Sequence, residues 1–145
     1  MRIYAICLLV MAASLAGFAA DETAAQLATQ ADSASLDQQP GLYLKAAHLQ
    51  LKAADAHYSE GKVDDGVNDV KLLTEYADKA ADTSIRSGKK LKDAEIELRK
   101  ISSRLTNIQH SLSFDDQAPV KACAEHLEEL RTKLLARMFS KDKKK

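Results

Sequence analysis

The chain has 145 residues, enough for one domain. Its 21 Lys+Arg balance 21 Asp+Glu, so no global field steers it toward nucleic acid. The two cysteines, Cys7 and Cys123, fall in segments of different character, and a disulfide-stapled fold is not indicated.

The N-terminus reads Met1-Arg2, an apolar run from Ile3 to Ala16, then Gly17-Phe18-Ala19-Ala20 and the acidic pair Asp21-Glu22. This order of one cation, a short apolar stretch and small residues at alternate positions predicts a signal peptide, residues 1–19. Cleavage after Ala19 puts Gly17 and Ala19 at the −3 and −1 positions, whereas cleavage after Ala20 would put bulky Phe18 at −3. The competing reading is an uncleaved anchor, but the run is short of the roughly 20 apolar residues a membrane-spanning helix needs. Cys7 lies within the apolar run, far from the cleavage point, so it does not read as a lipoprotein cysteine. Loss of residues 1–19 removes Arg2 and no acid, leaving 20 cations against 21 acids and Cys123 as the lone thiol. The destination implied is the periplasm or the medium. A single thiol forms no internal disulfide there, so stability has to come from helix packing.

Residues 20–41 are rich in Ala, Gln, Thr, Ser and Asp and hold no Lys or Arg. Few large apolar side chains are present to offset chain entropy, which predicts a flexible spacer. A short Ala-rich helix around residues 23–31 is the alternative. Pro40-Gly41 marks the expected boundary of a helical domain over 42–140.

From Leu42 the pattern is helical. Leu44, Ala47, Leu51, Ala54 and Tyr58 recur at spacings of 3 and 4 and predict a first helix over 42–60. Gly61 suits the position after its C-cap, and Asp64 or Asp65 offers an N-cap for the next helix. Val70, Leu73, Ala77, Ala80 and Ser84 then keep the same spacing, as do Leu91, Ala94, Leu98, Ile101, Leu105, Ile108 and Leu112. Ser84 and Ser87 join the two runs without a change of register. A loop usually resets such a register, so the expectation is one long helix over 64–113, roughly 75 Å at 1.5 Å per residue. The alternative is a bend or break at Ser87-Gly88, giving four helices. Phe114 to Pro119 reads as a turn with an aspartate cap and a proline in the first turn of the last helix, 117–139. Val120, Cys123, Leu127, Leu130, Leu134 and Met138 form that helix's stripe, and a basic tail, 141–145, closes the chain.

The fold class expected is therefore all-α: antiparallel hairpins in which three helices share one long central member. Such thin hairpins bury less than a compact bundle, which predicts a dimer or a partner helix. Ala53, Ala54 and Tyr58, the turn Gly61-Lys62-Val63, and Val70 make residues 42–75 similar to a single tetratricopeptide-type hairpin. Two features depart from that repeat: Gly66 stands where it prefers alanine, and no second copy follows at its 34-residue period. Stacked copies build the peptide groove of that family, and one copy does not.

No Walker loop, H-E-x-x-H or nucleophile-elbow motif is present, so no catalytic residue, cofactor or enzyme activity is expected. The metal candidates are Cys123 and His126, three apart on the last helix; His110, the nearest third ligand, falls off the register that would face them. His48 and His57 do not share a helix face. Arg86, Lys89, Lys90 and Lys92 form a basic patch that suits an acidic partner or, less strongly, anionic headgroups. The expected role is a non-enzymatic interaction or scaffold protein of the cell envelope. The alternative is a metal- or ligand-binding envelope stress protein using Cys123 and His126.

Overall fold

The structure is a computed structural model that describes residues 22–140. The signal-peptide assignment and the basic tail lie outside these residues. Among the described residues the chain is all-helical, with five α-helices: α1 (Ala24–Ser33), α2 (Gln39–Ser59), α3 (Val63–Ser87), α4 (Leu91–Ser111) and α5 (Gln117–Ser140). A 3-10 turn, Phe114–Asp116, leads into α5.

The segment expected to be a spacer carries α1. Thr23 caps it in a closed box with Gln26: the Gln26 backbone N–H donates to Thr23 Oγ1 at 3.2 Å, and the Thr23 N–H donates to Gln26 Oε1 at 2.9 Å. Leu27, Ala28 and Ala31 are buried against the rest of the molecule. Few large side chains are present, but small ones bury the helix: Ala28 and Ala31 lie in the core beside Leu27. Alanine fills a core where helices approach closely: α1 packs on α2, and the core it joins includes Ala46, Ala47, Ala77, Ala80 and Ala81, all at most 1% exposed. The boundary shifts accordingly. The chain turns at residues 34–38, and Pro40 lies in the first turn of α2, where its missing N–H costs nothing.

The turn after α2 is a Schellman motif. The Lys62 N–H donates to the His57 carbonyl at 2.8 Å and the Gly61 N–H to the Tyr58 carbonyl at 3.1 Å, with Gly61 at φ +75°. Asp64 and Asp65 are not caps. They sit in the first turn of α3, behind an N-cap Lys62 that makes no side-chain bond, and act on the helix only through its dipole.

The long helix is broken. Gly88 at φ +69° ends α3, its N–H donating to the Ser84 carbonyl at 2.8 Å, and Lys90 at φ +58° precedes α4. Two left-handed residues within three reverse the chain without disturbing the register of the apolar stripe, which is why spacing alone did not reveal the break. The α4/α5 hairpin thereby folds back onto the α2/α3 hairpin, with α3 running parallel to α5 and α2 parallel to α4. The cross-contacts establish the sense: Thr74 meets Cys123, Asp78 meets His126 and Ile85 meets Arg137, while His48 meets Glu97 and Asp55 meets Arg104. The stripes close on one another, and Leu73, Leu98, Ile101, Leu105, Leu127 and Leu134 are fully buried. The apolar surface that the three-helix expectation left for a partner is covered within the chain.

Candidate functional site

The polar side chains bridging the helices decide what is left on the surface. Such links join α4 to α5, α2 to α4, α3 to α5 and α2 to α3. Arg131 of α5 donates to Glu95 of α4 through Nε at 3.0 Å and Nη2 at 2.6 Å, with both side chains mostly buried. Arg104 of α4 reaches Asp55 of α2 at 2.5 Å. Three of the four histidines link helices through carboxylates: His48 to Glu97 at 2.5 Å, His126 to Asp78 at 2.6 Å, and His57 to Asp69. His110 is exposed on α4.

Of the three histidine links, that of His57 is the most deeply set. Asp69 is buried and accepts from Gln50 Nε2 at 2.6 Å on one oxygen and from His57 Nδ1–H on the other. That hydrogen bond raises the His57 pKa above the usual imidazole value. Sequence spacing did not single out this trio because Gln50 and Asp69 belong to different helices. At the same contact, Tyr58 is buried and its phenol is pushed up to about 12, chiefly by desolvation. Asp32 of α1 accepts from the Tyr43 hydroxyl, and Lys79 sits over the Tyr43 ring at 5.4 Å, tying α1 to α2 and α3.

Cys123 and His126 are not brought to one site. The Cys123 thiol faces the core, where it accepts from Thr74 Oγ1 at 3.1 Å, and burial pushes its pKa up to about 11. It is therefore neither a surface thiol nor a ready thiolate. His126 turns to Asp78, with Glu129 at 3.7 Å on its other nitrogen. Among the described residues no three His, Cys, Asp or Glu side chains gather as metal ligands do.

Arg86, Lys89, Lys90 and Lys92 do come together, on the α3–α4 turn at one end of the bundle, and all four are exposed. Arg86 and Lys90 have local partners in Asp82 at 3.2 Å and Asp93 at 3.4 Å. Lys45 of α2 reaches the same end and lines a shallow groove there with Leu42, Gly41 and Lys90. Arg137, hydrogen-bonded to the Ile85 carbonyl, and the 63%-exposed Phe139 of α5 lie at the same end of the bundle. The opposite end is acidic. Glu60, Asp64, Asp65 and Asp115 are exposed there, next to Phe114, which is 88% exposed. Spacing along the chain showed the basic cluster but not this polarity, because the acids come from two turns far apart in sequence, α2–α3 and α4–α5.

Among the described residues no helix is long and apolar enough to cross a membrane. The chain matches no family model, no curated protein and no solved structure.

Proposed function

We propose that this protein is an exported, non-enzymatic helical interaction module of the cell envelope, and that its basic end receives an acidic partner. The observation that carries the reading is the segregation of exposed charge. Lys45, Lys89 and Lys92 gather at one end of the bundle and take part in none of the ion pairs among the described residues, while Arg86 and Lys90 beside them pair only with Asp82 and Asp93. Unpaired cations beside an exposed aromatic suit recognition of an acidic surface, since such charges govern encounter and register. The leader pattern of residues 1–19 supplies the export half of the proposal.

Two measurements test it. N-terminal sequencing of the protein from its native host is expected to begin at Ala20; a start at Met1 counts against export. A photo-crosslinking residue at Lys89 or Phe139 is expected to trap a partner in the envelope fraction, and one at Lys71, on the flank of α3, is not. Equal trapping at all three positions, or none, removes the interaction reading.

A further inference from the structure

The break between α3 and α4 joins two observations that pull in opposite directions. The apolar stripe runs through it in one unbroken helical register: Ala77, Ala80 and Ser84 before it, Leu91, Ala94 and Leu98 after it, all buried. Yet the backbone reverses within three residues, using left-handed conformations at Gly88 and Lys90. Lys90 has a Cβ, so this conformation is strained for it. A short, strained connection between two hairpins is the setting in which identical elements exchange between copies.

We propose that the chain has a second, domain-swapped state in which α3 and α4 form one continuous helix over residues 63–111, and the partner is a second copy of this chain. The α2/α3 hairpin of each copy then packs on the α4/α5 hairpin of the other. The geometry permits it. A two-fold axis at Gly88 sets the two long helices antiparallel, and α5 of one copy then runs parallel to α3 of the other, the sense the two helices already have within one chain. Every contact between the hairpins is therefore remade across the dimer, from Thr74–Cys123 at one end to Ile85–Arg137 at the other. Only the turn changes, losing its left-handed residues and gaining helical hydrogen bonds. The continuous register supplies what an ordinary loop sequence lacks, because the stripe of the fused helix stays on one face. This proposal does not depend on the charge-based reading above.

The test uses the chain from Ala20 onward, whose only thiol is Cys123, with Thr74→Cys added as a reporter. Thr74 Oγ1 and Cys123 Sγ are 3.1 Å apart, close enough for a disulfide after modest adjustment. In the folded-back form oxidation links α3 to α5 within one chain; in the swapped form the same bridge links two chains. Gly88→Ala with Lys90→Ala, refolded at high concentration, is expected to raise the dimer fraction at least ~10-fold by light scattering, with dimers held by interchain bridges on non-reducing gels. Lys90→Gly, which suits the turn, is expected to fold and to lower whatever dimer the parent forms. The proposal is overturned if the double alanine variant stays monomeric, or forms dimers whose bridges are all intrachain. If that variant fails to fold, an equal dimer fraction in the parent and in Lys90→Gly overturns it.

Discussion

Gly66 of α3 lies directly beneath the ring of Tyr58 on α2. A Cβ built at position 66 would fall 2.8 Å from Cε1, Cε2 and Cζ of that ring, closer than real side-chain contacts. Gly66 is helical and buried, so nothing about its backbone demands glycine; the tyrosine does. Alanine is better in a helix interior by about 1 kcal/mol, but overpacking a buried aromatic costs about 1–3 kcal/mol. The clash outweighs the helix gain over most of that range, and Gly66→Ala is expected to destabilise the protein by up to about 2 kcal/mol in urea unfolding. Adding Tyr58→Leu should return part of that loss. A gain in stability from the single alanine change would show that the two helices do not meet this closely.

Helix α1 belongs to the core, so changes in it should read as core changes. Leu27 is 4% exposed, and Leu27→Ala is expected to cost about 2–4 kcal/mol through lost burial and the cavity left behind. A cost below about 0.5 kcal/mol, as at solvated sites, would restore the flexible-spacer reading of residues 20–41.

The Cys123 thiol is buried and its pKa is raised to about 11, so thiol reagents reach it only through unfolding. In the chain from Ala20 onward, labelling by a disulfide reagent near pH 8 is expected to follow the opening rate of the bundle and to accelerate sharply in denaturant. Immediate labelling of the native protein would place this thiol at the surface.

The His57–Asp69 pair makes stability depend on pH around neutrality. The folded-state pKa of His57 is raised, principally by the hydrogen bond to Asp69. Protonated His57 therefore stabilises the fold fully below the unfolded imidazole value, near 6.5. That contribution is lost as pH rises through the folded value. Glu97 works in the other direction: Lys100 and then His48 lower its pKa, so its contribution is lost as pH falls through that lowered value. Urea midpoints are expected to decline as pH rises above the unfolded imidazole value of about 6.5, and His57→Gln should flatten that decline. An unchanged slope in the variant would assign the pH dependence to other groups.

The core stripes were legible residue by residue. Leu44 to Tyr58, Val70 to Ser84, Leu91 to Ile108 and Val120 to Leu134 are buried at the positions their spacing indicates, because helical periodicity follows from the geometry of the chain. The break at Gly88 was legible only as a weak point. Helix propensity at one glycine is worth about 1 kcal/mol, and the closure of the two hairpins, which decides the matter, lies in contacts far apart in sequence. The α1 capping box, Thr23 with Gln26, stands in the sequence, but the scarcity of large apolar residues around it hides the helix it opens. The polar links His57–Asp69 and Arg131–Glu95 had no local signal, since each partner is a helix away. Of the site candidates, the cluster from Arg86 to Lys92 reads directly from the chain, but its acidic counterpart at the far end needed the fold to assemble it.

That separation of charge makes the neutral chain an electric dipole. Its positive pole lies at the Gly88 turn and its negative pole at the Phe114 turn, about 30 Å away along helices of 21 residues. Near a charged surface of either sign such a molecule is turned end-on, and because the screened field decays over a distance shorter than the molecule, the near pole is attracted more than the far pole is repelled. At a pH close to its calculated isoelectric point of 6.9, both cation and anion exchangers should retard it at low salt. Each resin would hold the opposite end of the same rod.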